Sequence, residues 1–88
     1  MNFTEYDWDD INIEHISRHG VISQEIEEAC YNSPLIFRRG ERYLVYGQSD
    51  SGRYLFIVII LKRNNIARVI TSRDMSKTER QLYYKKRS

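Results

Sequence analysis

The fold of this chain depends on one stretch, RYLFIVIILK at residues 53–62, in which eight apolar or aromatic side chains lie between two basic ones. β-Branched and aromatic residues are enriched in strands, and a continuous apolar run is typical of a buried strand. With eight residues, the run is far shorter than the ~20 that a membrane-spanning helix needs. The stretch therefore predicts the central strand of a sheet.

Further strands are predicted on both sides of this central strand. Asp50-Ser51-Gly52 and Asn64-Asn65 are turn sequences, and they separate it from segments of strand character at residues 42–48 and 66–73. A shorter segment at 35–38 is predicted to be an edge strand. Consecutive strands joined by short turns predict an antiparallel meander of three to four strands.

Helices are predicted before and after the meander. Asp9 or Asp10 is expected to cap a helix that runs to about Arg18, and Ser23 is expected to cap a second. Ser76 with Glu79 three residues later has the capping-box pattern and predicts a final helix. Because helices and strands are segregated, we expect one α+β domain over residues 1–88: two N-terminal helices, a small antiparallel sheet and a C-terminal helix.

Composition and charge exclude several classes of protein. The chain has 88 residues, 41% of them apolar, with one cysteine and two histidines. Cys30 cannot form an intramolecular disulfide, and the acidic N-terminus is unlike a secretory signal, so a cytoplasmic protein without membrane contact is expected. There is no Gly-rich phosphate loop and little material for a zinc site, so neither a cofactor nor a metal is expected.

The net charge of +2 conceals a strong asymmetry along the chain. Residues 1–37 hold eight acids and one base, a net of −7, whereas residues 38–88 hold thirteen bases and four acids, a net of +9. Such a separation predicts a basic surface for an anionic partner. The two halves can also neutralise each other across the fold, and both interpretations can hold together.

Basic and aromatic side chains on the sheet are one candidate for function. Strict alternation along residues 66–73 places Arg68 and Arg73 on opposite faces. One face must pack against the helices, and the other is left with aromatic and basic groups that suit base stacking and phosphate neutralisation. The simpler interpretation, that the aromatic residues only form core, stays open for Tyr43, Tyr46, Tyr54 and Phe56.

The last predicted helix carries a second candidate. RNA cleavage without a metal needs a base near the 2′-hydroxyl, a cation beside the developing phosphorane charge and an acid for the leaving oxygen. Glu79 and Tyr83 are four residues apart and share a helix face. Together with the arginines of the strands they can supply these groups, although a capping role is more frequent for a residue such as Glu79.

Short motifs in a fixed order connect these candidates to a known family. They are Trp8-Asp9; Arg18-His19-Gly20-Val21 with Ser23 and Ala29; Gly40-Glu41-Arg42; Gly47; Gly52-Arg53 with Leu55; Arg68-Val69-Ile70-Thr71-Ser72-Arg73; and Glu79-Arg80 with Tyr83. In this order the chain resembles the BrnT family of toxins from bacterial type II toxin–antitoxin pairs. Ser72 replaces the family's usual Ala, Thr71 its usual Ser, and Arg18 its usual Lys.

The resemblance implies a fold similar to that of RelE-type ribonucleases and an endoribonuclease that works without a metal and arrests translation. It also implies a BrnA-like antitoxin that covers the toxin and supplies DNA binding, so that DNA is bound only through the antitoxin. The alternative is a non-catalytic module of the same fold that binds nucleic acid or an antitoxin.

The resemblance and the helix geometry together predict the site residues. The predicted catalytic residues are Arg53, Arg68, Arg73, Glu79 and Tyr83, and the predicted RNA-binding residues are Arg42, Tyr54, Lys77 and Arg80. Trp8 and Asp9 are expected to be structural, and His19 is expected to be packed. The site requires the three catalytic arginines to converge with the last helix on one patch.

Overall fold

A computed structural model of the chain describes residues 3–87, with side chains described for residues 3–86. Two helices, four strands and a final helix follow one another, so the predicted α+β class and element order are confirmed. The elements are α1 (Asp10–Ser17), α2 (Ser23–Tyr31), β1 (Leu35–Arg39), β2 (Arg42–Gln48), β3 (Tyr54–Leu61), β4 (Ala67–Asp74) and α3 (Lys77–Arg87).

The first two helices begin differently from each other. Asp9 is the N-cap of α1 as predicted, and its carboxylate accepts hydrogen bonds from the backbone N–H groups of Ile11 and Asn12. The predicted capping role of Ser23 was wrong, because α2 already begins at that residue. The Ile22 N–H instead donates to the Glu25 carboxylate at 3.1 Å, so an acid inside the first turn satisfies the helix start.

The sheet has four strands in the order β1-β2-β3-β4, and all neighbours are antiparallel. A short N-terminal segment extends it beyond β4 through a parallel bridge between Tyr6 and Ala67. The Asp7 N–H donates to the Ala67 carbonyl, and the Ala67 N–H donates to the Glu5 carbonyl, both at 2.8 Å. The N-terminal segment therefore covers part of the β4 edge, in line with the tendency of proteins to protect exposed strand edges.

Each face of the sheet packs against helices. α1 and α2 cover the face that carries Val45, Leu55, Ile57, Ile59 and Val69, which are fully or almost fully buried; we call it the helix-pair face. The opposite face carries a smaller cluster around Tyr46, Met75 and Tyr83, with Leu35, Leu44, Tyr54 and Phe56 packed against it; we call it the α3 face. The predicted central strand β3 thus contributes to both cores.

One residue in β4 changes which side chains share a face. The pairing with β3 shifts in register by one residue, and Ile70 has no partner on β3. An extra residue of this kind, a β-bulge, reverses the alternation of side chains beyond it. Arg68 and Arg73 therefore both start from the α3 face, opposite Ile60 and Phe56. The prediction from strict alternation, which separated them, was wrong.

Within the part of the chain that the structure describes, none of the helices combines the length and the apolar character that crossing a membrane requires.

Candidate functional site

Arg73 and Glu79 form an ion pair where β4 ends and α3 begins. The guanidinium donates from Nη1 to Oε1 at 2.7 Å and from Nη2 to Oε2 at 3.0 Å, a geometry with two parallel hydrogen bonds. The guanidinium lies 4.5 Å from the centre of the Phe56 ring, whose face attracts a cation. The Arg73 side chain remains 43% exposed, so a ligand can reach it.

The capping box of α3 holds the carboxylate of this pair in place. The Ser76 N–H donates to Glu79 Oε1 at 2.8 Å, and the Glu79 N–H donates to the Ser76 hydroxyl oxygen at 3.2 Å. The predicted capping box is therefore confirmed. The Glu79 carboxylate therefore accepts hydrogen bonds both from the start of α3 and from Arg73. Among the described residues, its Oε2 atom accepts only the bond from Arg73, so Oε2 keeps a lone pair for another proton donor.

The ion pair keeps both of its groups charged. The hydrogen bond from Arg73 holds the pKa of Glu79 below the usual range of a glutamate, and the same bond raises the pKa of Arg73. The neighbouring phenol of Tyr46 has a raised pKa, first because it is buried and then because Glu79 repels its anion. Tyr46 was predicted only as an aromatic residue of the sheet, not as a member of the site.

Three of the predicted RNA-binding residues lie close to this end of the sheet. Arg80 places its guanidinium carbon 5.6 Å from the centre of the Tyr54 ring, and Lys77 is exposed in the first turn of α3. The Tyr54 ring meets that of Tyr84 at 5.5 Å, and their hydroxyl groups are hydrogen-bonded. Tyr84 is 56% exposed and was not selected from the sequence, because nothing in its spacing distinguishes it from a solvated helix residue.

Arg53 is not available to a substrate. Its Nε and Nη2 donate to Asp74, its Nη1 donates to the Gly20 carbonyl and to Glu25, and its Nη2 also donates to the His19 carbonyl. A guanidinium has five N–H donors, and these contacts occupy all of them. The predicted catalytic role of Arg53 conflicts with this arrangement, in which the side chain ties the α1–α2 turn to the end of β4.

Arg68 lies at the other end of β4. Its Nη1 donates to Asp7 at 3.1 Å and to Asp9 at 2.9 Å, and Lys62 joins the same cluster through Asp7 at 2.8 Å. Arg68 is five positions from Arg73 along the strand, a distance of ~16 Å at strand rise. The three arginines therefore do not converge on one patch as predicted, and each of them is paired with a carboxylate.

Tyr83 belongs to the second core rather than to the surface. It is 1% exposed and packs edge-on against Tyr54, with ring centres 6.0 Å apart. Tyr83 and Glu79 lie on the same face of α3, but Glu79 is partly accessible in the first turn whereas Tyr83, one turn later, points into the core. A substrate cannot reach Tyr83 without movement of α3, and the predicted catalytic role of this phenol has no support in the structure.

Smaller predictions around the site had mixed outcomes. Trp8 is structural as expected, because it packs against the main core and stacks on Tyr6 with ring centres 6.1 Å apart. His19 is exposed, so its expected packing was wrong. Of the aromatic residues of the sheet, Tyr43 and Tyr46 are buried as core, whereas Tyr54 and Phe56 are partly accessible on the α3 face.

The match to a protein-family model identifies the chain. The model, described as "Ribonuclease toxin, BrnT, of type II toxin-antitoxin system", matches residues 8–79. The chain belongs to the BrnT family. The match runs from the cap of α1 to the first turn of α3 and includes both members of the Arg73–Glu79 pair. No curated protein and no solved structure matches the chain.

Membership of the BrnT family implies what kind of target and partner this chain has. The family comprises ribonuclease toxins of type II toxin–antitoxin systems, which implies an RNA target and an antitoxin partner for this chain. Among residues 3–86, no three His, Cys, Asp or Glu side chains are grouped so that they could hold a metal ion.

Proposed function

We propose that this BrnT chain cleaves RNA without a metal ion at the Arg73–Glu79 pair and thereby arrests translation. The observation that carries the proposal is an exposed guanidinium oriented by a carboxylate with a free lone pair, beside aromatic and cationic side chains on the α3 face. The cation, the proton acceptor and the stacking ring thus lie at the same end of the sheet, on β3, β4 and α3.

Each member of the pair has a defined role in the proposed reaction. Glu79 Oε2 accepts the proton of the attacking 2′-hydroxyl, whose oxygen forms a bond to the neighbouring phosphorus. Arg73 stabilises the negative charge that develops on the phosphorane oxygens. The bond to the 5′-oxygen then breaks, and that oxygen takes a proton from solvent, leaving a 2′,3′-cyclic phosphate and a 5′-hydroxyl.

The proposed RNA contacts surround the pair. Arg80 and Lys77 contact phosphates on either side of the cleaved bond, and the Tyr54 ring offers a face for a base. The catalytic roles predicted for Arg53 and Arg68 are replaced here by positioning roles at the two ends of β4, and Tyr83 supports the ring of Tyr54 from below.

Cleavage of total RNA in the presence of EDTA tests the proposal. We expect cleavage by the wild-type chain to persist, and Arg73→Ala and Glu79→Gln each to lower the rate by about 10²-fold, the cost of removing one group that stabilises the transition state. Arg18→Ala is the control, because Arg18 is an exposed partner of Glu14 on α1, on the opposite side of the sheet. Equal rates for all four proteins would refute the assignment.

A second candidate function is a binding module that does not cut RNA. The observation that favours it is that Arg53, Arg68 and Arg73 are all paired with carboxylates. A salt-sensitive gel shift with RNA, without any cleavage product, would support this alternative, because phosphate contacts release counterions.

The proposed partner is a BrnA-like DNA-binding antitoxin that covers the α3 face, and through it the complex binds DNA. The likeness to RelE-type ribonucleases is part of the same proposal and rests on the family. Protein synthesis in a cell-free translation reaction should stop when the chain is added alone and continue when the chain is added together with the antitoxin. Continued synthesis with a chain that cleaves RNA would separate translation arrest from ribonuclease activity.

A further inference from the structure

A row of basic residues crosses the α3 face at the end of the sheet remote from Arg73. Cross-strand register places Arg39 opposite Arg42, Arg42 opposite Ile60, and Ile60 opposite Arg68. Opposite residues in a sheet have their Cβ atoms ~5 Å apart. Arg39 and Arg42 therefore start from opposite positions on the same face, next to the tip of the β1–β2 hairpin. Burial raises the pKa of Tyr46 on this face, and the charge of Arg39 acts to lower it.

These two arginines differ from the three arginines that were predicted to be catalytic. Both are exposed, and neither forms an ion pair with a carboxylate among residues 3–86, whereas Arg53, Arg68 and Arg73 all do. Like charges directly opposite each other destabilise a sheet. The chain thus holds an unfavourable pair that an anion would neutralise.

The surface between this pair and Arg73 suits a polynucleotide. Along β2, Arg42 lies four residues, or ~13 Å, from Tyr46. Tyr46 is itself buried, but its cross-strand neighbour Phe56, which is opposite Arg73, is partly accessible. Phe37 lies two residues before Arg39 on β1, on the side nearer to Arg73. Its side chain is 37% exposed, and its ring packs edge-on against that of Tyr46 with ring centres 5.9 Å apart. An apolar, partly aromatic strip therefore connects two cationic points.

We propose that Arg39 and Arg42 form a second phosphate-binding subsite, which holds the RNA backbone about two nucleotides away from the bond that is cleaved. Arg42 was predicted to bind RNA, but Arg39 and the pairing of the two were not. The subsite deepens the proposed function and rests on it, because RNA is the polyanion that the Arg73–Glu79 pair would cleave. It makes the toxin prefer RNA long enough to reach from one cationic point to the other.

Substrate length and salt dependence test the subsite. In the double variant Arg39→Gln/Arg42→Gln, we expect KM for RNA of about 12 nucleotides to rise roughly tenfold, with kcat unchanged. A dinucleotide, whose single phosphate cannot bridge the ~13 Å between the two points, should be cleaved equally by variant and wild type. The slope of log Kd against log salt should fall by about 0.7 for each phosphate that the variant no longer neutralises.

Binding is measured with 2′-O-methyl RNA, which lacks the attacking hydroxyl, so that the subsite is tested separately from cleavage. Arg18→Gln is the matched control on the opposite side of the sheet and should leave the slope unchanged. The melting temperature of the double variant should not fall, because a repulsive pair has been removed.

The outcomes of the subsite and of the proposed function can be told apart. Loss of affinity for the methylated RNA in the double variant supports the subsite even if the wild-type chain fails to cleave RNA. Unchanged affinity and salt slope overturn it even if cleavage is normal. It is also overturned if the double variant loses only the affinity for the antitoxin, because the pair would then be a protein interface.

Discussion

Arg53 and Arg73 lie at the same end of the sheet, but they differ in the donors they have left. Arg53 gives all five of its N–H groups to acceptors inside the chain, whereas Arg73 gives three bonds, two to Glu79 and one to the Asp74 carbonyl. Arg53 donates to the Asp74 carboxylate, and the Asp74 backbone carbonyl accepts a hydrogen bond from Arg73. Arg53 is therefore a positioning residue for the ion pair.

A double-mutant cycle checks this positioning role. Arg53→Ala should reduce the free energy of unfolding by on the order of 2 kcal/mol, because it leaves Glu25 and Asp74 without their cation. It should also lower the cleavage rate in the wild-type background but have no further effect in the Arg73→Ala background. If the fold-reductions of the two single variants multiply in the double variant, Arg53 acts independently of Arg73.

The pKa of Glu79 leads to a prediction for the pH dependence of the reaction. Because the hydrogen bond from Arg73 lowers this pKa, the carboxylate stays ionised as pH falls through the ordinary glutamate range. We expect kcat/KM to hold through the ordinary glutamate range and to fall only below it. In Arg73→Lys, which cannot form the two parallel bonds, the acid limb of the profile should move to higher pH. An unshifted limb in that variant would assign the titration to another group.

At the scale of the element, the start of α3 connects stability to the site. Ser76→Ala removes the hydroxyl that accepts the Glu79 N–H, and it should cost about 1 kcal/mol of unfolding free energy in urea denaturation. Because the same first turn positions the Glu79 carboxylate, the cleavage rate should fall as well. Ser76→Asp keeps a capping oxygen and should recover most of the lost stability; failure to do so would show that the hydroxyl is not acting as a cap.

The packing of α2 on β2 depends on one glycine. A Cβ at position 47 would lie 2.4 Å from the carbonyl oxygen of Ala29, which is backbone and cannot rotate away. Gly47→Ala should therefore destabilise the chain by roughly 1–3 kcal/mol, the cost of overpacking a core. Gly40→Ala is the comparison, since no atom lies within 4 Å of its added Cβ and only the positive φ of 61° opposes it. Equal melting temperatures for wild type and Gly47→Ala would contradict the close approach.

At the scale of the whole molecule, the charge asymmetry of the sequence has two structural outcomes. Acids of the N-terminal half pair with bases of the C-terminal half, as in Asp7 with Lys62 and Glu25 with Arg53. Several other bases of the C-terminal half, among them Arg39, Arg42, Lys77 and Arg80, are exposed on the sheet and on α3. Neutralisation across the fold and a basic surface thus occur in the same molecule.

The N-terminal ion-pair cluster makes stability depend on pH. Hydrogen bonds from Lys62 and from Arg68 lower the pKa values of Asp7 and Asp9 respectively, so these carboxylates stabilise the fold above the aspartate range and lose that effect as pH falls. We expect the urea midpoint to decline below about pH 4. Asp7→Asn/Asp9→Asn should lower the midpoint at neutral pH and flatten the decline, and an unchanged pH profile would show that other carboxylates are responsible.

Local sequence determined the elements of this protein. Turn pairs such as Asn64-Asn65, the caps Asp9 and Ser76, and the apolar run of β3 act over a few residues, so their effects can be predicted without knowing what lies across the fold. The α+β class, the order of the elements and the capping box of α3 followed from such signals. The order of the family's motifs added the ribonuclease identity.

Only the tertiary structure decided which arginines face a ligand. The bulge at Ile70 put Arg68 and Arg73 on one face, and carboxylates distant in sequence, such as Glu25 for Arg53 and Asp7 for Arg68, took up the donors that a substrate would need. A guanidinium binds whichever anion the folded chain brings within hydrogen-bond distance, and that distance is set by packing between elements rather than by spacing along the chain.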